Sequence, residues 1–185
     1  QLGSFVAPLL ARGYRVVWFD HPGHGASDGR QVALPDLVRG MAAIDATCGP
    51  FAAAIGHSLG AAAIGLALRG GQRVPRIVLI GAPASMNEHI RHFAKHLGIT
   101  ASVRDALRRR IETRYGRGFD DIDRIEELKT LEVPALLIHD AGDRHVRFAD
   151  SVRLAACLEG SQLIRTHGLG HFRVLRNAQV VDAAT

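Results

Sequence analysis

At 185 residues, with 47% apolar and 22% charged side chains, the chain has the make-up of one globular domain, which excludes intrinsic disorder and allows a core that buries roughly 70% of the unfolded surface. No apolar run is long enough to span a membrane, and Cys48 and Cys157 have neither disulfide-framework nor metal-ligand spacing, so both read as small buried apolar residues. The net charge of +5 is local: Arg104, Arg108, Arg109, Arg110, Arg114 and Arg117 fall in one stretch with a single aromatic, Tyr115, which reads as a solvated helix face or an anion-recognising patch and not as a nucleic-acid surface.

In chain order, Phe5, Val6, Leu9 and Leu10 form one helical stripe, with Ser4 as expected N-cap and Gly13 as stop. Tyr14 to Asp20 is an apolar, β-branched and aromatic run that ends at Pro22, Gly23 and Gly25, and it predicts a buried strand. Pro35 opens a helix with Leu34, Leu37, Val38, Met41 and Ile44 on one face. A second strand is predicted from Phe51 to Ile55, and a small-residue helix follows through Leu68 to the Gly70-Gly71 stop. Further strands are expected at Arg76 to Ile80, Ala135 to His139 and Gln162 to Thr166. Helices are expected from Arg147 to Leu158 and after Phe172.

Strands alternating with helices predict an α/β fold, a mainly parallel sheet with helices on both faces. Residues 84–133 break the rhythm. They hold three amphipathic helical patterns, near Asn87 to Leu97, Ser102 to Tyr115 and Asp121 to Leu131, and read as a helical lid inserted into a core of residues 1–83 and 134–185. Ile90, Phe93, Leu97, Leu107 and Ile111 are expected to pack this lid on the core first and to touch substrate second.

The chemistry starts at Gly56-His57-Ser58-Leu59-Gly60, between a strand and a helix. A sharp turn there strains the serine backbone and lifts its hydroxyl clear of the sheet. Gly56 and Gly60, two residues either side, leave room for the crossing. The helix that follows aims free N–H groups at a developing anion. Serine needs a base, and the base needs a carboxylate. His171, in Gly168-Leu169-Gly170-His171-Phe172, lies in what reads as a flexible glycine loop. Asp143 lies in the loop after the fourth predicted strand, with Asp140 as an alternative acid. Three strand-end loops would bring Ser58, Asp143 and His171 to one sheet edge.

These motifs, with Asp20-His21-Pro22-Gly23-His24-Gly25-Ala26-Ser27, resemble those of the α/β-hydrolase superfamily in type and in the chain order serine, acid, histidine. The likeness covers nearly the whole chain outside the lid. Gly-His-Ser-Leu-Gly together with Gly-His-Gly-Ala-Ser looks most like serine esterases of the monoacylglycerol-lipase-like or lysophospholipase-like kind. Serine at position 58 speaks against halide displacement. The resemblance implies Ser58 as nucleophile, His171 as base, Asp143 as its partner and the Leu59 N–H as an oxyanion donor. It favours Asp143 over Asp140 by loop placement.

The resemblance also implies a strand between the first two predicted here. The chain starts past it, so the expectation is an N-terminally incomplete core with a gap in its sheet. The second oxyanion donor is then expected before Gln1 or in Gln1 to Gly3. The expected activity is cleavage of a small-molecule carboxylic ester through an acyl-enzyme. A thioesterase, a peptidase, a carbon–carbon hydrolase and a non-catalytic binding protein of the same fold are the alternatives. No cofactor, metal, nucleic acid or membrane-integral segment is expected, and the expected location is cytoplasmic. The arginine-rich lid helix hints at an anionic group on the substrate. His89, His92 and His96 share a helical face that reads as a polar lid surface in preference to a metal site. His57 is either a hydrogen-bonding neighbour of the site or the variable position of its motif. His139 and His145 are expected to line the pocket or to be exposed, and His24 and His167 to be structural.

Overall fold

The structure is a computed structural model that describes residues 2–185. Four parallel strands form one sheet in the order β1 (Ala54–His57), β2 (Ile77–Ile80), β3 (Ala135–Asp140) and β4 (Gln162–Thr166). Helices lie between them: α1 (Val6–Ala11) and α2 (Leu34–Cys48) before β1, α3 (Leu59–Arg69) after it, and α7 (Phe148–Cys157) between β3 and β4. The chain closes with the single turn α8 (Gly170–Arg173) and with α9 (Ala178–Ala184).

The strands are apolar without alternation because both faces are covered. Ile77, Leu79, Ala135 and Leu137 pack with Ala61, Ile64 and Leu68 of α3 and Leu154 of α7. Their neighbours Val78, Ile80 and Ile138 pack on the other face with Phe5, Val174, Leu175, Val180 and Val181. The register pairs His57 with Ile80 and Ile80 with Ile138, so all the strands end at one edge of the sheet.

The run from Tyr14 to Asp20 is a correction to the predicted buried strand. Among the described residues it has no strand partner, and Trp18 is 64% exposed. A strand exists only where a neighbour about 4.8 Å away takes up its N–H and C=O groups. Here a cleft of about 1190 Å³ separates Val16, Val17 and Phe19 from Ala54, Ile55 and Gly56 of β1. Ser4 is a second correction. Its hydroxyl donates to the Leu175 carbonyl and does not cap α1, which ties the short 3-10 turn Leu2–Phe5 to the C-terminal segment.

Residues 84–133 hold α4 (Met86–His96), α5 (Ala101–Tyr115), α6 (Phe119–Ile122) and a 3-10 turn (Ile125–Thr130), with no strand among them. The third predicted helix is therefore split. Asp123 leaves the helical path because its carboxylate caps the start of α4. It accepts hydrogen bonds from Ser85 Oγ (2.6 Å), the Asn87 N–H (3.1 Å), Asn87 Nδ2 (2.9 Å) and the Met86 N–H. Arg69, at the end of α3, donates to the carbonyls of Ile122 (2.7 Å) and Asp121 (2.9 Å) and to Glu127 (2.6 Å), joining this stretch to the core. No described helix is long and apolar enough to cross a membrane.

Candidate active site

Ser58 follows β1 and precedes α3, at φ 54° and ψ −125°. Among the described residues it alone takes positive φ without being glycine. Such strain persists only where the surroundings hold it, and it clusters at functional sites. Gly56 is what permits the turn. A Cβ there would stand 2.7 Å from Ala61 Cα and Ile64 Cδ1, because α3 crosses directly over β1. At Gly60 nothing lies within 4 Å of the position a Cβ would take, so the expected need for glycine there is corrected. Leu59 occupies the first position of α3, where an N–H has no partner within the helix and faces outward from its positive end.

Asp143 and His171 meet as the sequence reading expects. His171 Nδ1 lies 2.6 Å from Asp143 Oδ2, with both side chains buried. Asp143 Oδ1 accepts from the N–H groups of His145 (2.7 Å) and Val146 (3.0 Å). Burial opposes the charge on this carboxylate, but hydrogen bonds from His139, His171 and the two backbone N–H groups outweigh it and hold the pKa far below the usual carboxylate range. An acceptor this firmly ionised keeps the proton of His171 on Nδ1 and leaves Nε2 free to act as a base. Ser58 and His171 line the same cleft. No hydrogen bond joins them among the described residues, and catalytic contacts of free enzymes often tighten only when substrate arrives.

A sequence profile of the alpha/beta hydrolase family matches residues 2–183. The chain belongs to the alpha/beta hydrolase family. A non-heme haloperoxidase of Rhodococcus erythropolis is 25% identical over 226 residues, covering 95% of this chain and 82% of that protein. Among solved structures, a meta-cleavage product hydrolase from Pseudomonas fluorescens superposes with a TM-score of 0.66 at 23% identity, over 96% of this chain and 82% of that one. An esterase from Pyrococcus furiosus has a TM-score of 0.66 at 17% identity, over 94% of this chain and 68% of that one.

The remaining residues around the Asp143 and His171 pair sort by their contacts. His57 donates Nε2–H to the His171 carbonyl (2.9 Å), tying β1 to α8. Burial, and then the nearby His171 ring, lower its pKa to about 4. Asp140 is not the acid partner. Its oxygens accept from the Gly142 N–H, the Thr166 hydroxyl and the Leu169 N–H, each at 2.9 Å, and so clamp the loop that carries His171. In that loop Gly168 and Gly170 take φ of 75° and 64°, and His171 sits inside the turn of α8. Gly81 escaped the sequence reading. At φ 55°, its missing Cβ would stand 3.4 Å from His171 Nδ1, so the pair packs directly on the end of β2. A glycine closing a strand is the signal that marks such a place.

His139 is neither exposed nor a pocket residue, but 1% exposed inside the core. His89, His145, Phe93 and Phe172 do line the cleft. Burial, followed by the His171 charge, lowers the pKa values of His89 and His145. His92 donates to the Arg144 carbonyl (2.7 Å), and no metal-binding group of three or more ligands occurs among the described residues. Of the five apolar residues expected to pack the inserted helices, Ile90 and Ile111 do so. Phe93, Leu97 and Leu107 are exposed. The arginines of α5 stay outside the cleft. Arg108 pairs with Glu112 and Asp120, and Arg104 with Asp105. These arginines are therefore not placed to hold an anionic group of a substrate in the cleft. Of the expected second oxyanion donor, Gln1 lies outside the described residues, while Leu2 borders the cleft.

Proposed function

We propose that the chain hydrolyses carboxylic esters of small molecules through an acyl-enzyme on Ser58. Ser58 Oγ attacks the ester carbonyl while His171 Nε2 takes its proton, and the same proton then goes to the departing alcohol. The Leu59 N–H stabilises the oxyanion. Water, deprotonated by His171, next attacks the acyl carbon, and the proton returns to Ser58 as the carboxylic acid leaves. Asp143 holds the tautomer of His171 and offsets its charge. Residues 84–133 act as a lid, a role supported by His89 and Phe93 of α4, which border the cleft that holds Ser58. The observation that carries the reading is the buried 2.6 Å pair of Asp143 and His171 beside a serine in a strained strand-to-helix turn.

The test is labelling with a fluorophosphonate, read by intact mass. One adduct per chain is expected in the wild type and none in Ser58→Ala. Ester turnover is expected to fall by about 10⁶ in Ser58→Ala and by about 10⁴ in Asp143→Asn. A folded wild type that takes no label, or a Ser58→Ala variant that still does, overturns the proposal. A second reading, peroxide-dependent halogenation, rests on the name of the Rhodococcus relative. Bromination of a phenol by wild type with peroxide and bromide, lost in Ser58→Ala, would favour it.

A further inference from the structure

Two side chains in the core behind the site have no part in the steps above. His139 is the next-to-last residue of β3, with its side chain fully buried, and Ser151 lies on α7 with no exposure. His139 Nδ1 is 2.7 Å from Ser151 Oγ. His139 Nε2 is 3.1 Å from the Val146 carbonyl and 3.4 Å from Asp143 Oδ2. A carbonyl and an ionised carboxylate only accept, so Nε2 must carry a proton. Those two acceptors select the tautomer, and in the neutral ring Nδ1 then accepts from the Ser151 hydroxyl, which fixes the ring in place.

We infer that His139, held in place by Ser151, is a positioning residue that shares Asp143 Oδ2 with His171 and so sets how strongly Asp143 supports the base. The inference rests on the ester-hydrolysis reading and adds Ser151 and His139 behind the Asp143 and His171 pair. The geometry of Asp143 gives His139 this leverage. Oδ1 is occupied by two backbone N–H groups, so the carboxylate cannot turn. Among the described residues Oδ2 is left to the two imidazoles, His171 at 2.6 Å and His139 at 3.4 Å. A donor on an oxygen withdraws charge from it, so His139 weakens the attraction of Asp143 for a protonated His171. The other titratable groups near His171 are His57, His89 and His145. Near His139 the further one is Asp150, whose carboxyl is pushed up by burial.

The test compares wild type, His139→Phe, His139→Gln and Ser151→Ala. Two readouts are the kcat/KM pH profile for an ester and the NMR titration of the His171 ring, and the second needs no turnover. In His139→Phe the Oδ2 donor is gone. The acid limb and the His171 titration should both move to higher pH by about half a unit. Any change of rate at the new optimum should appear in kcat, with KM held. His139→Gln keeps a donor and should recover most of both. Ser151→Ala, a small change, should shift the titration in the same direction. Identical acid limbs and titrations in all four proteins would overturn the inference, even if His139→Phe is less stable. Should the wild type take no fluorophosphonate and turn over no ester, the hydrolysis reading fails by itself, while the NMR titration still decides the role of His139.

Discussion

At Gly56 and Gly60 the same residue type does two different jobs. A methyl at Gly56 collides with backbone and side chain of α3 at 2.7 Å, so Gly56→Ala is expected to cost about 1–3 kcal/mol through overpacking. Gly60 faces open space inside a helix, and Gly60→Ala should be neutral or stabilising by up to about 1 kcal/mol. Urea unfolding of the two variants checks the contrast; equal losses would mean that α3 does not cross β1 as described. His57 gives a prediction on pH. Its folded pKa, about 4, lies below the ordinary value of 6.5. Above pH 6.5 the ring is neutral in both states and adds nothing pH-dependent. Between 6.5 and 4 only the unfolded chain takes the proton, so stability falls with pH, by up to about 3 kcal/mol in total. Denaturant midpoints at pH 7.5 and 4.5 should differ less in His57→Gln than in wild type, and an unchanged difference would remove His57 as the cause. The need for Gly56 was readable from its place two before the serine. The open space at Gly60 was not, because only the crossing angle of α3 sets what a side chain would meet.

At the level of elements, the joint between α3 and residues 84–133 depends on Arg69. Its side chain is 7% exposed and satisfies two carbonyls as well as Glu127. Arg69→Met leaves the Ile122 and Asp121 carbonyls without partners, at about 1–3 kcal/mol each. Limited proteolysis should then cut between residues 116 and 131 before it reaches the sheet. Cleavage no faster than in wild type would mean that apolar packing alone holds this stretch. Helix periodicity found the region but placed one helix over Asp121 to Leu131. The apolar spacing is genuine, since Ile122, Ile125 and Leu128 are all buried. Asp123 interrupts it because its carboxylate serves the N-terminus of α4, some 36 positions back in the chain. A long-range cap of this kind leaves no periodic trace. The same holds for Tyr14 to Asp20, whose residues suit a strand while no neighbour lies within reach to make it one.

Across the whole molecule, a parallel sheet brings the ends of β1, β2, β3 and β4 to one edge, and the loops that leave this edge carry Ser58, Gly81, Asp143 and His171. Much of this was legible in the chain itself. Apolar runs alternating with helical stripes determine a sheet buried on both faces, and the glycine-flanked serine, the acid loop and the late histidine mark the strand ends that meet. Those signals are local, written in neighbouring residues, and survive without knowledge of the fold. The tertiary structure alone decided what stands behind them: the His139 and Ser151 pair beneath Asp143, the Asp140 clamp on the His171 loop, the His57 tie to α8, the open cleft beside β1 and the exclusion of the α5 arginines from it. Each depends on distances between segments far apart in sequence. Hydrogen bonding and burial act across space, and no spacing along a single chain encodes which remote oxygen a buried imidazole will meet.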